Sequence, residues 1–126
     1  GVVTVLTGNG YGYAGDDGPA WTGLLNQPKA VEVGEDGTIY TIDQRNERIR
    51  MIEPGGERMM RTIGGTGQIG YSGDGGPAIE AEFHWDNAPT PAPSGSLALR
   101  GNILYIADTL NHCIRTLDLD TGERCR

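Results

Sequence analysis

Lysine is all but missing from this 126-residue chain: Lys29 stands beside nine arginines, and the 10 basic residues face 17 acidic ones, for a net charge of -7. A polyanion is held through many Lys and Arg contacts to phosphate, so this balance argues against nucleic acid and an anionic lipid surface as partners. RNA or DNA should therefore not be retained on a filter at about 0.15 M salt, and submicromolar binding there would refute the reading. Histidine occurs twice, as His84 and His112, whereas a catalytic zinc site draws three protein ligands from a His, Cys, Asp or Glu cluster. No apolar run approaches the roughly 20 residues of a membrane span. Cysteine is limited to Cys113 and Cys125. A tight hairpin at Asp120-Thr121-Gly122 would set Cys125 across from Thr116 to Asp118 and away from Cys113, favouring two thiols or a bridge between chains over one within the chain. An initiator Met and a basic, apolar leader are also absent from the opening Gly1-Val2-Val3. The expectation is a processed or excised piece of a longer precursor, exported to the cell surface or beyond.

Glycine, by contrast, is abundant, with 21 residues, and 37% of the chain is hydrophobic, enough for a small core between many turns. The glycines fall in a repeat. Gly12-Tyr13-Ala14-Gly15-Asp16-Asp17-Gly18-Pro19-Ala20 returns as Gly70-Tyr71-Ser72-Gly73-Asp74-Gly75-Gly76-Pro77-Ala78, an offset of 58 (70 minus 12). Ile39-Tyr40-Thr41-Ile42-Asp43-Gln44-Arg45-Asn46-Glu47-Arg48-Ile49-Arg50 returns as Leu104-Tyr105-Ile106-Ala107-Asp108-Thr109-Leu110-Asn111-His112-Cys113-Ile114-Arg115, an offset of 65 (108 minus 43). Periods of this size belong to propellers and arrays.

Between the landmarks, short alternating or β-branched runs bounded by turn residues predict strands at 30–33, 38–42, 48–52 and 58–63, and again at 96–99, 103–107, 113–117 and 123–126. Val2-Val3-Thr4-Val5-Leu6 predicts one more strand, with no parent sheet of its own. Pro19 and Pro77 suit the first position of single helical turns over 20–25 and 78–83, which Leu25 and Phe83 would plug into the body. The chain thus divides into 1–65, a terminal strand with one four-stranded unit, and 66–126, a second unit with a Pro-rich insertion at 85–95 and a last strand that stops at Arg126.

Four antiparallel strands per repeat joined by a glycine-rich loop is the layout of a propeller blade. Tyr105-Ile106-Ala107-Asp108-Thr109-Leu110-Asn111-His112-Cys113-Ile114-Arg115, with Gly73-Asp74-Gly75-Gly76-Pro77-Ala78 before it, resembles the NHL-repeat propellers, especially the bacterial ones. The resemblance covers nearly the whole chain and implies an all-β fold of two four-stranded NHL blades. It fixes no activity, because that family includes scaffolds, ligand and RNA binders and lyases. The chain departs from the pattern at Gln44-Arg45-Asn46-Glu47-Arg48, where a small residue and a His are usual, and at Cys113, where Arg is common.

Asp43, Asn46 and Arg50, with their counterparts Asp108, Asn111 and Arg115, read as turn-fixing groups, Asp and Asn bonding amides and Arg reaching a carboxylate. Asp16, Asp17 and Asp74 sit in glycine-rich loops, where carboxylates suit Ca²⁺ but also suit capping of the helical turns, and capping is the reading preferred. Calcium is the only cofactor the residues suggest. Phe83, His84 and Trp85 form an aromatic patch that either contacts a glycan or protein ligand or packs, with Phe83 in the core and Trp85 under the prolines. Two blades cannot close a ring, so Val2, Val3, Val5, Leu6, Arg124 and Cys125 are the expected interface. Strand completion between copies, giving a non-enzymatic structural ring or filament, is the function expected, against a ligand-binding or lyase propeller of which this is a piece.

Overall fold

A computed structural model describes residues 1–86 and 94–120 of the chain. Its strands run in order as β1 (Gly18–Pro19), β2 (Pro28–Val33), β3 (Ile39–Asp43), β4 (Arg48–Ile52), β5 (Met59–Gly64), β6 (Ser96–Arg100), β7 (Ile103–Asp108) and β8 (Cys113–Asp118). The first sheet has the order β1-β5-β4-β3-β2 and the second β6-β7-β8, all antiparallel. The fold is thus all-β, two adjacent blades that do not close a ring. We call them blade one and blade two. The fourth strand expected at 123–126 lies outside the described residues, as does most of the Pro-rich insertion.

The meander follows from sequence. Ile39, Thr41 and Asp43 point to one side of the sheet and Tyr40 and Ile42 to the other, because side chains alternate along a strand. The register Tyr40↔Met51, Thr41↔Arg50 and Ile42↔Ile49 then pairs residues of the same face. Between strands, Gln44–Asn46 and Thr109–Asn111 form 3₁₀ turns that end in left-handed residues, Glu47 (φ 52°) and His112 (φ 60°).

Two expectations need correction. Val2–Leu6 forms no strand, and Val3 is 97% exposed. A strand is stable only when another takes its N–H and C=O groups, and among the described residues none does. The helical turns are also shorter than expected, 3₁₀ turns over Ala20–Thr22 and Ala78–Glu80. Pro19 and Pro77 precede them in extended conformation as the N-cap residues, and neither makes a side-chain cap bond. Leu25 and Phe83 are nevertheless buried, as plugs should be.

Each plug lies on the sheet of its own blade. Ala20 and Leu25 cluster with Ile52, Met60 and Ile39 in blade one. Ala78, Ala81, Phe83 and Trp85 cluster with Leu104, Ile106 and Leu117 of blade two and, from the other side, with Tyr40, Ile42 and Ile49 of blade one. The plug of blade two is therefore sandwiched between the sheets and makes the junction. The loop before each plug requires glycine at one place: Gly15 and Gly73 have φ of 97° and 96°, and a Cβ there would lie 2.5 Å from the Cα of Gly23 and 2.6 Å from that of Ala81. Gly73→Ala combines a left-handed alanine with a backbone collision, so we expect a loss of about 2 kcal/mol or more in urea unfolding. A loss under about 0.5 kcal/mol would mean that the loop can shift at little cost.

Candidate functional site

The polar residues singled out by the repeat converge on one construction, built twice. In blade one, Asp43 ends β3, the 3₁₀ turn carries Asn46 three residues on, and Arg50 stands in β4 beside Thr41. Asp43 Oδ1 accepts the amide N–H of Asn26 at 2.7 Å, while Oδ2 accepts from Asn46 Nδ2 at 2.8 Å and Arg50 Nη1 at 3.0 Å. Arg50 also donates to the carbonyls of Leu24 (3.0 Å) and Ala14 (2.9 Å) and to Asp16 Oδ1 (3.0 Å), and Asn46 donates to the Gly12 carbonyl at 2.7 Å. Both Arg50 and Asp43 are fully buried. One guanidinium thus ties the glycine loop, the plug and the hairpin together, which needs its fixed fork of donors.

Blade two repeats the arrangement. Asp108 accepts from the His84 amide at 2.9 Å, Asn111 Nδ2 at 2.9 Å and Arg115 Nη1 at 3.1 Å. Arg115 donates to the carbonyls of Glu82 (2.7 Å) and Ser72 (2.7 Å) and pairs with Asp74 at 2.9 Å, and Asn111 reaches the Gly70 carbonyl at 2.8 Å. These residues thus tie each hairpin to the glycine loop and the plug, a wider reach than a turn. Tyr13 lies under Arg50 (4.7 Å) and Arg48 (3.9 Å), and Tyr71 under Arg115 (5.2 Å). These cation–π contacts give the tyrosines of the repeated loop their place.

The aspartates expected to cap turns do something else. Asp16 and Asp74 are carboxylate partners of buried arginines, and Tyr13 and Thr62 also donate to Asp16. Burial pushes the Asp16 carboxyl up, but the bonds from Tyr13 and Thr62 and the charge of Arg50 outweigh it and hold it below the ordinary value. Asp17 takes left-handed backbone (φ 62°), and its N–H donates to the Met60 carbonyl. No cluster of three or more His, Cys, Asp or Glu side chains occurs among the described residues.

Trp85 also needs correction as a ligand contact. It is fully buried, stacked on Phe83 with centroids 4.5 Å apart, and its indole N–H donates to the Ala107 carbonyl at 2.9 Å. A ring of this size fills the space between sheets better than it serves a surface. His84 contributes its backbone, the amide to Asp108 and the carbonyl to Leu110. Of the expected interface, Val2, Val3, Val5 and Leu6 are exposed, whereas Arg124 and Cys125 lie outside the described residues. Cys113 carries a free thiol among the described residues.

Sequence reasoning missed Glu47. Its carboxylate is 2% exposed and accepts the amides of Trp85 (2.9 Å to each oxygen) and Asp86 across the blade junction. Gln44 donates to the Trp85 carbonyl at 3.3 Å and Arg45 pairs with Asp86 at 3.4 Å, so one turn of blade one grips two residues of blade two. The signal was the departure from the usual His at this position.

No protein-family model matches the chain. Among curated proteins it is 32% identical over 115 residues to Protein SUPPRESSOR OF QUENCHING 1, chloroplastic, of Arabidopsis thaliana, covering 91% of this chain and 10% of that protein. It is 34% identical over 83 residues to NHL repeat-containing protein 2 of Homo sapiens, covering 66% of this chain and 11% of the relative, and 32% identical over 80 residues to the Gallus gallus protein of that name, covering 64% and 11%. The chain belongs to the NHL-repeat family. It spans about a tenth of the length of these curated relatives. In NHL terms, the two Asp-Asn-Arg constructions are the staples that hold each blade to its glycine loop.

Proposed function

We propose that this chain is a non-enzymatic pair of blades within a larger NHL propeller, a unit that packs against further blades and presents the finished ring to a partner. One observation carries the proposal. Tyr40 and Ile49 of blade one are 8% and 0% exposed beneath the plug of blade two, whereas their 65-residue counterparts Tyr105 and Ile114 are 41% and 66% exposed. An apolar sheet face of this kind is stable in water only when covered. The relatives, of which the chain matches only about a tenth, support the same reading. The sequence of Val2–Leu6, the 58-residue counterpart of Met60–Gly64, supports it too, since it would suit the outer strand of a blade preceding blade one once a partner strand were present. The buried aspartates and arginines support a scaffold role, since they bind each other and loop carbonyls. Polypeptide continuous with the chain supplies the further blades in one form of the reading, and other copies joined by strand completion supply them in the other. Hydroxyl-radical footprinting tests both: Tyr105 and Ile114 should be protected in the native material and reactive in the isolated chain. Equal reactivity in the two would overturn the proposal.

A further inference from the structure

The face of blade two that bears Tyr105, Ala107 and Ile114 is the counterpart of the face of blade one that blade two covers. The chain therefore contains its own picture of what should dock there, and the picture can be compared with what a second copy would offer. The covering plug of blade two is Ala78, Ala81, Phe83 and Trp85, and the 58-residue counterparts in blade one are Ala20, Gly23, Leu25 and Gln27. From this comparison we infer that the open face of blade two takes an NHL blade whose plug carries large aromatic residues at the positions of Phe83 and Trp85, and not blade one of a second copy. The inference rests on the reading that further blades cover this face.

Volume is the first argument. At the internal junction Tyr40, Ile42 and Ile49 meet Ala81, Phe83 and Trp85 in one buried cluster. A second copy docked the same way would set Gly23, Leu25 and Gln27 against Tyr105, Ala107 and Ile114. Each change is a loss of size: Gly for Ala, Leu for Phe, Gln for Trp and, on the sheet, Ala107 for Ile42. The missing atoms lie together, so the contact would enclose an apolar void with the Gln27 amide in it, and voids cost stability in proportion to their volume. Backbone geometry adds to this, because Gln27 is left-handed (φ 55°).

The polar latch is an independent argument. Glu47 holds two successive backbone N–H groups, those of Trp85 and Asp86. Its counterpart on blade two is His112, and the counterparts of Trp85 and Asp86 are Gln27 and Pro28. Pro28 has no N–H to give. A second copy therefore matches the open face neither in its plug nor in its latch.

The test uses the whole chain in sedimentation experiments from micromolar to near-millimolar concentration. Wild type should stay monomeric. Leu25→Phe with Gln27→Trp, which gives blade one the plug of blade two, should tighten self-association by about tenfold or more, and adding Ile114→Asp should return it to monomers. If circular dichroism shows the double variant misfolded, Gln27→Trp alone serves, because Gln27 is exposed. Wild-type association that Ile114→Asp abolishes would make a second copy the occupant and overturn the inference, while leaving the propeller reading intact. A folded plug variant that stays monomeric would overturn it as well. Failure of the propeller reading itself would appear separately, as unprotected Tyr105 and Ile114 in the footprint of native material.

Discussion

Replacing Arg50 by alanine should cost about 4 kcal/mol, the range expected when one partner of a buried ion pair is removed and the other is left behind. Asp43 would remain fully buried with its charge uncompensated, the Leu24 carbonyl would lose its Arg50 donor, and the Ala14 carbonyl would keep only the Leu24 N–H. A domain of this size is stabilised by only about 5–15 kcal/mol, so the loss would remove a large part of the stability. Urea unfolding followed by tryptophan fluorescence measures it, and a loss below about 1 kcal/mol would reduce the staple to a surface ion pair. Arg50→Lys should recover less than half, because one ammonium cannot meet the geometry of Asp43, Asp16, Leu24 and Ala14 together. A double-mutant cycle between Asp43 and Arg50 should give a coupling of about 2 kcal/mol or more, since both side chains lie in one network.

The staple also marks how far the sequence could be read. Two offsets, 58 for the glycine loop and 65 for the hairpin, were legible as separate landmarks, and the all-β meander followed from alternation within them. Contact between the landmarks was not legible. Asp16 stands 34 residues before Arg50, and nothing in local spacing says that the two meet. The same aspartate next to a proline turn read as a cap in preference to a calcium ligand, and a cap is a local device, which is what short patterns reveal. Val2–Leu6 is the opposite case. Its composition favours a strand, yet strand formation depends on a partner, and β-propensity records the fit to a sheet rather than a preference of the backbone. Trp85 beside prolines read either as a ligand contact or as a ring packed under them, and only the packing of two blades shows the space that its ring fills. Glu47 stood out as a substitution within a familiar motif, but its meaning lay 38 residues away, at Trp85.

That glutamate leads to the second large effect. Burial pushes the Glu47 carboxyl up from its ordinary 4.5 to about 7, the amides of Asp86 and Trp85 only partly opposing it, while the charges of Asp86 and Asp108 raise it further. In the unfolded chain the group ionises near its ordinary value, so between about pH 4.5 and 7 the folded protein binds a proton that the unfolded one has released. The Glu47 contribution to stability is therefore fully present below about pH 4.5 and is lost as the pH rises through about 7, where a charge must be kept in the junction. The full loss is on the order of 3 kcal/mol, at about 1.4 kcal/mol for each unit of raised pKa. Asp16, whose carboxyl is held low by Tyr13, Thr62 and Arg50, opposes this trend only at the acid end, losing stability as the pH falls. The melting temperature should thus decline from about pH 5 to 8, whereas carboxylates paired as Asp16 is would leave that range flat. Glu47→Gln keeps the size of the side chain and removes the titration. It should flatten the decline while keeping Trp85 buried, as judged by its emission. If the Gln variant shows the same decline as the parent, another group titrates there, and the blade junction is insensitive to protons.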